Sequence, residues 1–148
     1  PRSRPRMTTL PPSETTSRPI CATETAVNGE GEIRVLVGAL DYEGLVAFYR
    51  DAVGFPVHEV WDDPDGHGTL FRAGAGIIEV IADGPDHRAE RPRGVSVAIE
   101  TPDVDALHAR LRDRAEVTLE LGDRPWGHRS FGITDPGGLP LIFFSVIA

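Results

Sequence analysis

The chain has 148 residues, a formal net charge of −8, 40% hydrophobic and 26% charged residues, the size and composition of one globular domain. No apolar run approaches the roughly 18 residues of a membrane span, and the acidic balance argues against sequence-independent binding to nucleic-acid phosphates. Cys21 is the only cysteine, which excludes an intramolecular disulfide and a thiolate metal cluster and fits a cytoplasmic location.

Residues 1–30 read as a tail. They hold Pro1, Pro5, Pro11, Pro12 and Pro19, many Ser and Thr, and no periodic apolar pattern. Such a segment buries too little surface to offset its ordering entropy, so a disordered or loosely docked tail is expected. Met7 is the sole methionine, and residues 1–6 are set aside from the fold. Arg2, Arg4 and Arg6 imitate the start of a signal peptide, but no apolar stretch follows them. The domain is expected over residues 31–148, which hold 11 arginines, no lysine and 20 acids, a net charge near −9.

Ile33–Gly38 alternates as a strand, with Ile33, Val35 and Val37 on one face and Arg34, Leu36 and Gly38 on the other. Asp41 is a predicted N-cap, Leu45, Val46, Tyr49 and Val53 follow at helical spacing, and Gly54 closes the helix. Val57–Trp61 is a predicted strand, and Asp62–Gly66 a turn cluster. Leu70–Ala73 and Gly76–Ile81 form a predicted hairpin around Gly74 and Ala75. The order is βαβββ.

The pattern then recurs. Gly94–Glu100 alternates, with Val95, Val97 and Ile99 on one face. Asp103 is an N-cap, and Val104, Leu107 and Leu111 give the helix stripe. Val117–Leu121 and His128–Ile133 are predicted strands. Asp135–Gly138 is a turn, and Leu139–Ile147 is the last strand. Asp41 and Asp103 lie 62 positions apart. That offset pairs Leu45 with Leu107, Tyr49 with Leu111, Asp51 with Asp113 and Arg34 with Ser96. A duplicated unit predicts two modules, about 31–83 and 93–148. One helix covers one face of each sheet, and the two bare faces are left to meet each other or to enclose a ligand.

The run from Asp41 through Phe48-Tyr49 to Val53-Gly54-Phe55 resembles the opening of the vicinal oxygen chelate superfamily. That superfamily includes glyoxalase I, extradiol dioxygenases and bleomycin-resistance proteins. Asp103–Leu111 is similar to its second-module helix. Trp126-Gly127-His128-Arg129-Ser130-Phe131, followed by Asp135-Pro136-Gly137-Gly138, is similar to its ending. The resemblance implies an α+β fold, with two βαβββ modules forming a cup-shaped mixed sheet around a cavity. It also implies a homodimer, in some members with exchanged modules.

Metal-using members of the family supply His or Glu from the first and last strands of each module. By resemblance those four positions are Arg34, Glu79, Ser96 and Ile142. Arginine keeps its proton and cannot act as a donor ligand, whereas a catalytic metal needs about three protein ligands. The expectation is therefore the metal-free, bleomycin-resistance-like branch, with no cofactor. Arg34 is expected to occupy the metal space and pair with Glu79, with bidentate geometry open to it, so that Arg34→Ala lowers stability if the pair is buried.

The other polar residues have plainer readings. His108 is expected at a helix surface or boundary, and His67 in a turn and His87 in a connector are expected exposed; His58 stands on a strand with either face open to it, and His128 stands on the strand that flanks the cavity. Trp61 and Trp126 suit either packing or stacking on a flat ligand. The expected ligand-binding set is Arg34, Leu36, Trp61, Ile77, Glu79, Ser96, Trp126, His128, Ile142 and Phe144. The function expected is sequestration of an antibiotic-like or cationic aromatic small molecule, which the acidic body attracts. The alternative is a metal-free isomerase, epimerase or cyclase with Glu79 as general base.

Overall fold

The computed structural model describes residues 31–85 and 87–147. The tail expected over residues 1–30 lies outside the described residues. The element order is β1 (Arg34–Ala39), α1 (Tyr42–Ala47), β2 (Val57–Asp63), β3 (Gly66–Ala73), β4 (Gly76–Ala82), β5 (Val97–Glu100), α2 (Val104–Leu111), β6 (Glu116–Asp123), β7 (His128–Thr134) and β8 (Pro140–Val146). This is βαβββ twice, and the pairing repeats as well. The first sheet has the order β1-β4-β3-β2, and the second β5-β8-β7-β6. In each, the first strand runs parallel to the last and the remaining pairs are antiparallel.

Both N-caps form as their sequence predicts. Asp41 Oδ1 accepts from Gly44 N and Asp103 Oδ1 from Ala106 N, each at 3.0 Å, filling one orphan donor of each first turn. After Ala47 the first helix widens into a π-helical turn over Phe48–Val53. Gly54 closes it at φ +85, donating its N–H to the Tyr49 carbonyl five residues back. The wider turn buries Phe48, Tyr49, Ala52 and Val53 together, two adjacent pairs that a regular helix would spread over a broader arc.

Several strand ends differ from the sequence reading. The Asp62–Gly66 cluster contracts to a turn at Pro64 and Asp65, because Asp63 Oδ1 accepts from both Asp65 N and Gly66 N and tightens the hairpin. β3 accordingly starts at Gly66 rather than Leu70. The strand expected from Gly94 begins only at Val97, where its partner Leu141 becomes available. Gly94 stands at φ +67, and Val95 is exposed.

One core serves both modules. Val37, Leu45, Tyr49, Phe71, Ile78 and Val80 of the first share a single cluster with Ile99, Leu107, Leu111, Phe131, Leu141 and Phe143 of the second. Each large apolar side chain buried there contributes about 1.5–3 kcal/mol. A polar bond crosses the same core. The Tyr49 hydroxyl donates to Asp135 Oδ2 at 2.5 Å, both groups being buried. Asp135 Oδ1 accepts from Gly137 N and Leu139 N, so the acid also shapes the β7–β8 turn. On the far side, Arg110 donates to the Ala52 and Val53 carbonyls at the end of the π-helical turn.

Among the described residues the sheets are two, not one. No strand of the first is hydrogen bonded to a strand of the second, so the continuous cup expected from sequence is not closed within the chain. The physical reason is the shared core: the modules meet through their helix-bearing faces, and each sheet turns its other face away from that core; on the first sheet this outer face is covered at Leu70, Ile77 and Glu79 and exposed at Leu36.

Candidate functional site

The outer face of the first sheet, exposed at Arg34 and Leu36 and covered at its centre, is set by strand alternation. Val35, Val37, Ile78 and Val80 belong to the core or pack on it, so Arg34, Leu36, Ile77 and Glu79 point the other way. Trp61 joins them from β2. Its Nε1–H donates to Glu79 Oε1 at 2.9 Å, with the indole lying across Gly68 of β3. A Cβ at Gly68 would stand 2.5 Å from Trp61 Nε1, so only glycine leaves the indole that path. Sequence reading missed Gly68, although a glycine inside a strand signals close approach by another group.

Glu79 is buried, yet Arg34 is not. The side chains are 12% and 44% exposed, and Arg34 Nη1 stands 3.7 Å from Glu79 Oε2. The expected Arg34–Glu79 pair is present as this one long contact, not as a bidentate one, and its guanidinium is exposed rather than buried. Arg34 sits on the first residue of an edge strand, where its Nε hydrogen bonds the neighbouring Glu32 carboxylate. That bond holds the Glu32 carboxyl below the usual carboxylate range. An ion pair this exposed is screened by water, which removes the basis for a large stability loss in Arg34→Ala. Leu36 is 50% exposed, whereas Ile77 is fully covered.

The open face of the second sheet is aromatic. Leu141 and Phe143 enter the core, which leaves Ile142 and Phe144 on the opposite face. The His128 ring stacks on Phe144, with centroids 4.2 Å apart and planes 10° from parallel. Beside them Arg124 Nε donates to the buried Ser130 hydroxyl at 3.0 Å. Ser96 is exposed just before β5, and Trp126 is exposed in the β6–β7 turn.

The ten expected residues thus form two groups on two faces, and a single chain does not bring them into one cavity. A cavity of about 650 Å³ does open elsewhere, between the modules, and none of the ten lines it. Three of the remaining histidines make side-chain contacts away from these faces or at the surface. His67 meets the Tyr42 ring edge-on at 4.5 Å, His108 meets Phe131 at 5.0 Å, and His58 Nδ1 lies 3.2 Å from Arg72 Nη2.

The four positions that carry metal ligands in metal-using relatives fail a test of donor chemistry. Glu79 is one carboxylate, and it already accepts an indole N–H. Arg34 is a cation, Ser96 a neutral hydroxyl and Ile142 a hydrocarbon. Among the described residues no three His, Cys, Asp or Glu side chains come together as a ligand set.

Residues 33–143 match the family model of the glyoxalase/bleomycin resistance protein/dioxygenase superfamily. The chain belongs to that superfamily. No curated protein sequence matches it, so detailed similarity within the glyoxalase superfamily comes from solved structures. The fold is similar to TioX from Micromonospora sp. ML1, at 20% identity and TM-score 0.63, covering 79% of this chain and 99% of TioX. It is similar to TnmS3, an antibiotic binding protein from Streptomyces sp. CB03234, at 24% identity and TM-score 0.60, covering 78% and 95% of the two chains. It is also similar to a lactoylglutathione lyase from Agrobacterium tumefaciens, at 21% identity and TM-score 0.57, covering 78% and 92%. The same glyoxalase-type fold therefore carries both a binding protein and a lyase. Among the described residues no helix is long and apolar enough to cross a membrane.

Proposed function

We propose that the protein binds a small molecule, without metal and without turnover, on the open faces of its two sheets. The observation that carries this reading is the donor set: Arg34, Ser96 and Ile142 stand where metal-using relatives need ligands, and Trp61 takes up the remaining carboxylate. A divalent ion has no site of about three donors there. One face offers Trp61 over Glu79, and the other the stacked His128–Phe144 pair with exposed Trp126. Flat aromatic surfaces and an acidic body suit a planar cationic ligand of antibiotic type.

A second copy of the chain is the partner in this reading. Large apolar side chains lie exposed at Leu36, Trp126 and Val146, and a two-fold dimer would cover such side chains and enclose the ligand between the faces. The cytoplasm is the proposed location.

A second reading rests on Glu79 itself. Among the described residues its Oε2 has only the long contact to Arg34, which leaves an oxygen able to accept a proton from a substrate, as a metal-free isomerase, epimerase or cyclase requires.

The test is titration with a panel of cationic aromatic antibiotics, read by tryptophan quenching, followed by mass analysis of the recovered compound. Saturable quenching with an unchanged mass supports sequestration. A changed mass supports the Glu79 enzyme and overturns the binding-only reading.

A further inference from the structure

The cavity of about 650 Å³ between the modules lies within the volume range of small-molecule sites, about 300–1,000 Å³. Four segments wall it: residues 38–41 at the end of β1, 89–91 of the connector, 114–116 at the start of β6, and 134–138 of the β7–β8 turn, with Leu45 behind. Its apolar wall includes Leu45, Ala115, Pro136 and Leu40, and Leu40 is 83% exposed, an unusual cost for a large aliphatic side chain unless something covers it.

The charged groups at this cavity are of both signs. Arg91 and Arg114 face it together with Asp41, Glu90 and Glu116. Among the described residues none of these five joins an ion pair. The Arg91 stem is held against the β7–β8 turn, its Cγ 3.0 Å from where a Cβ of Gly138 would stand. Asp135 also lines the cavity but is spoken for, with both oxygens taken by Tyr49, Gly137 and Leu139. It serves as wall.

We propose that this cavity is a second ligand site, separate from the open sheet faces, and that it takes a small zwitterion with an apolar body, such as a dipeptide. The reason is charge balance. A simple anion drawn to the arginines meets three carboxylates, and a simple cation drawn to the acids meets two guanidiniums. Like charges brought together in one pocket oppose binding. A molecule with an ammonium at one end and a carboxylate at the other satisfies both sets, while its apolar middle covers Leu40 and Ala115.

The test is a titration of the full, ¹⁵N-labelled chain with the dipeptide Ala-Leu, its N-acetyl form and its C-terminal amide, followed by amide chemical shifts. Ala-Leu is expected to give saturable shifts confined to residues 38–41, 89–91, 114–116 and 134–138. Either capped form is expected to bind on the order of tenfold more weakly, as expected for loss of one charge contact. Arg114→Gln and Glu116→Gln, at exposed positions, should keep the wild-type melting temperature and weaken Ala-Leu by a similar factor. Absence of saturable shifts in these segments, or equal binding of the capped forms, overturns the proposal. The indole N–H signals of Trp61 and Trp126 should not move with Ala-Leu, and shifts there instead of at the seam would also overturn it. Antibiotic binding at the open faces is read on those two indoles, so either site can fail without the other.

Discussion

The Trp61 indole donates to the Glu79 carboxylate at 2.9 Å while lying across Gly68. Three strands therefore cooperate in one polar contact. β2 supplies the donor, β4 the acceptor, and β3 the gap between them. The carboxylate that metal-using relatives turn toward an ion is here held by an uncharged hydrogen bond donor.

Gly68→Ala tests that arrangement. The new Cβ would fall 2.5 Å from Trp61 Nε1 and displace the indole. Overpacking of this kind costs about 1–3 kcal/mol. In a Trp126→Phe background, Trp61 emission should shift toward the red and urea denaturation should show the loss. Unchanged emission and stability would mean that the indole does not lie across β3.

Tyr49→Phe tests the tie between modules. It leaves the buried Asp135 Oδ2 without the Tyr49 donor, at a cost of about 1–3 kcal/mol. Burial, and then the Asp135 charge, push the Tyr49 phenol far above its ordinary value of 10.0. The folded state therefore keeps a proton that the unfolded state loses above about pH 10, and this part of the stability falls as pH rises, with a limiting slope of about 1.4 kcal/mol per pH unit. Below pH 10 that contribution is fully present. Denaturation of wild type and Tyr49→Phe between pH 9 and 11 (a window set by the unperturbed tyrosine pKa of about 10) should show the steeper alkaline loss in wild type only.

Much of this was legible in the chain. The offset between Asp41 and Asp103 located both caps, and its partners Leu45, Leu107, Tyr49 and Leu111 are all buried. Alternation placed Arg34 and Leu36 opposite Val35 and Val37. The rest depends on contacts far apart in sequence. Tyr49 and Asp135 are 86 positions apart, and no local pattern joins them. The π-helical turn follows from burying two adjacent pairs at once, which a 3.6-residue template cannot represent. The open cup follows from which faces the modules share, and each module's own sequence is consistent with either choice.

Elemental analysis addresses the metal. Purified protein should carry no stoichiometric Zn, Ni, Mn or Fe, because the four family positions offer one carboxylate among a guanidinium, a hydroxyl and a hydrocarbon. About one tightly held ion per chain, lost in Glu79→Ala, would contradict this.

Light scattering addresses assembly. The exposed apolar side chains of the open faces, Leu36 and Val146 among them, predict a homodimer at tens of micromolar, roughly where weak dimers persist. A monomer at that concentration would leave each open face unable to enclose a ligand.

The most direct measurement is calorimetric titration of chelator-treated protein with a cationic aromatic antibiotic that quenches its tryptophans, repeated with Trp61→Phe and after adding back Zn. The expected result is saturable binding without metal, no gain from Zn, weaker binding in Trp61→Phe, and recovery of the compound with its mass unchanged. Binding that appears only with Zn, or a compound recovered with altered mass, would contradict it.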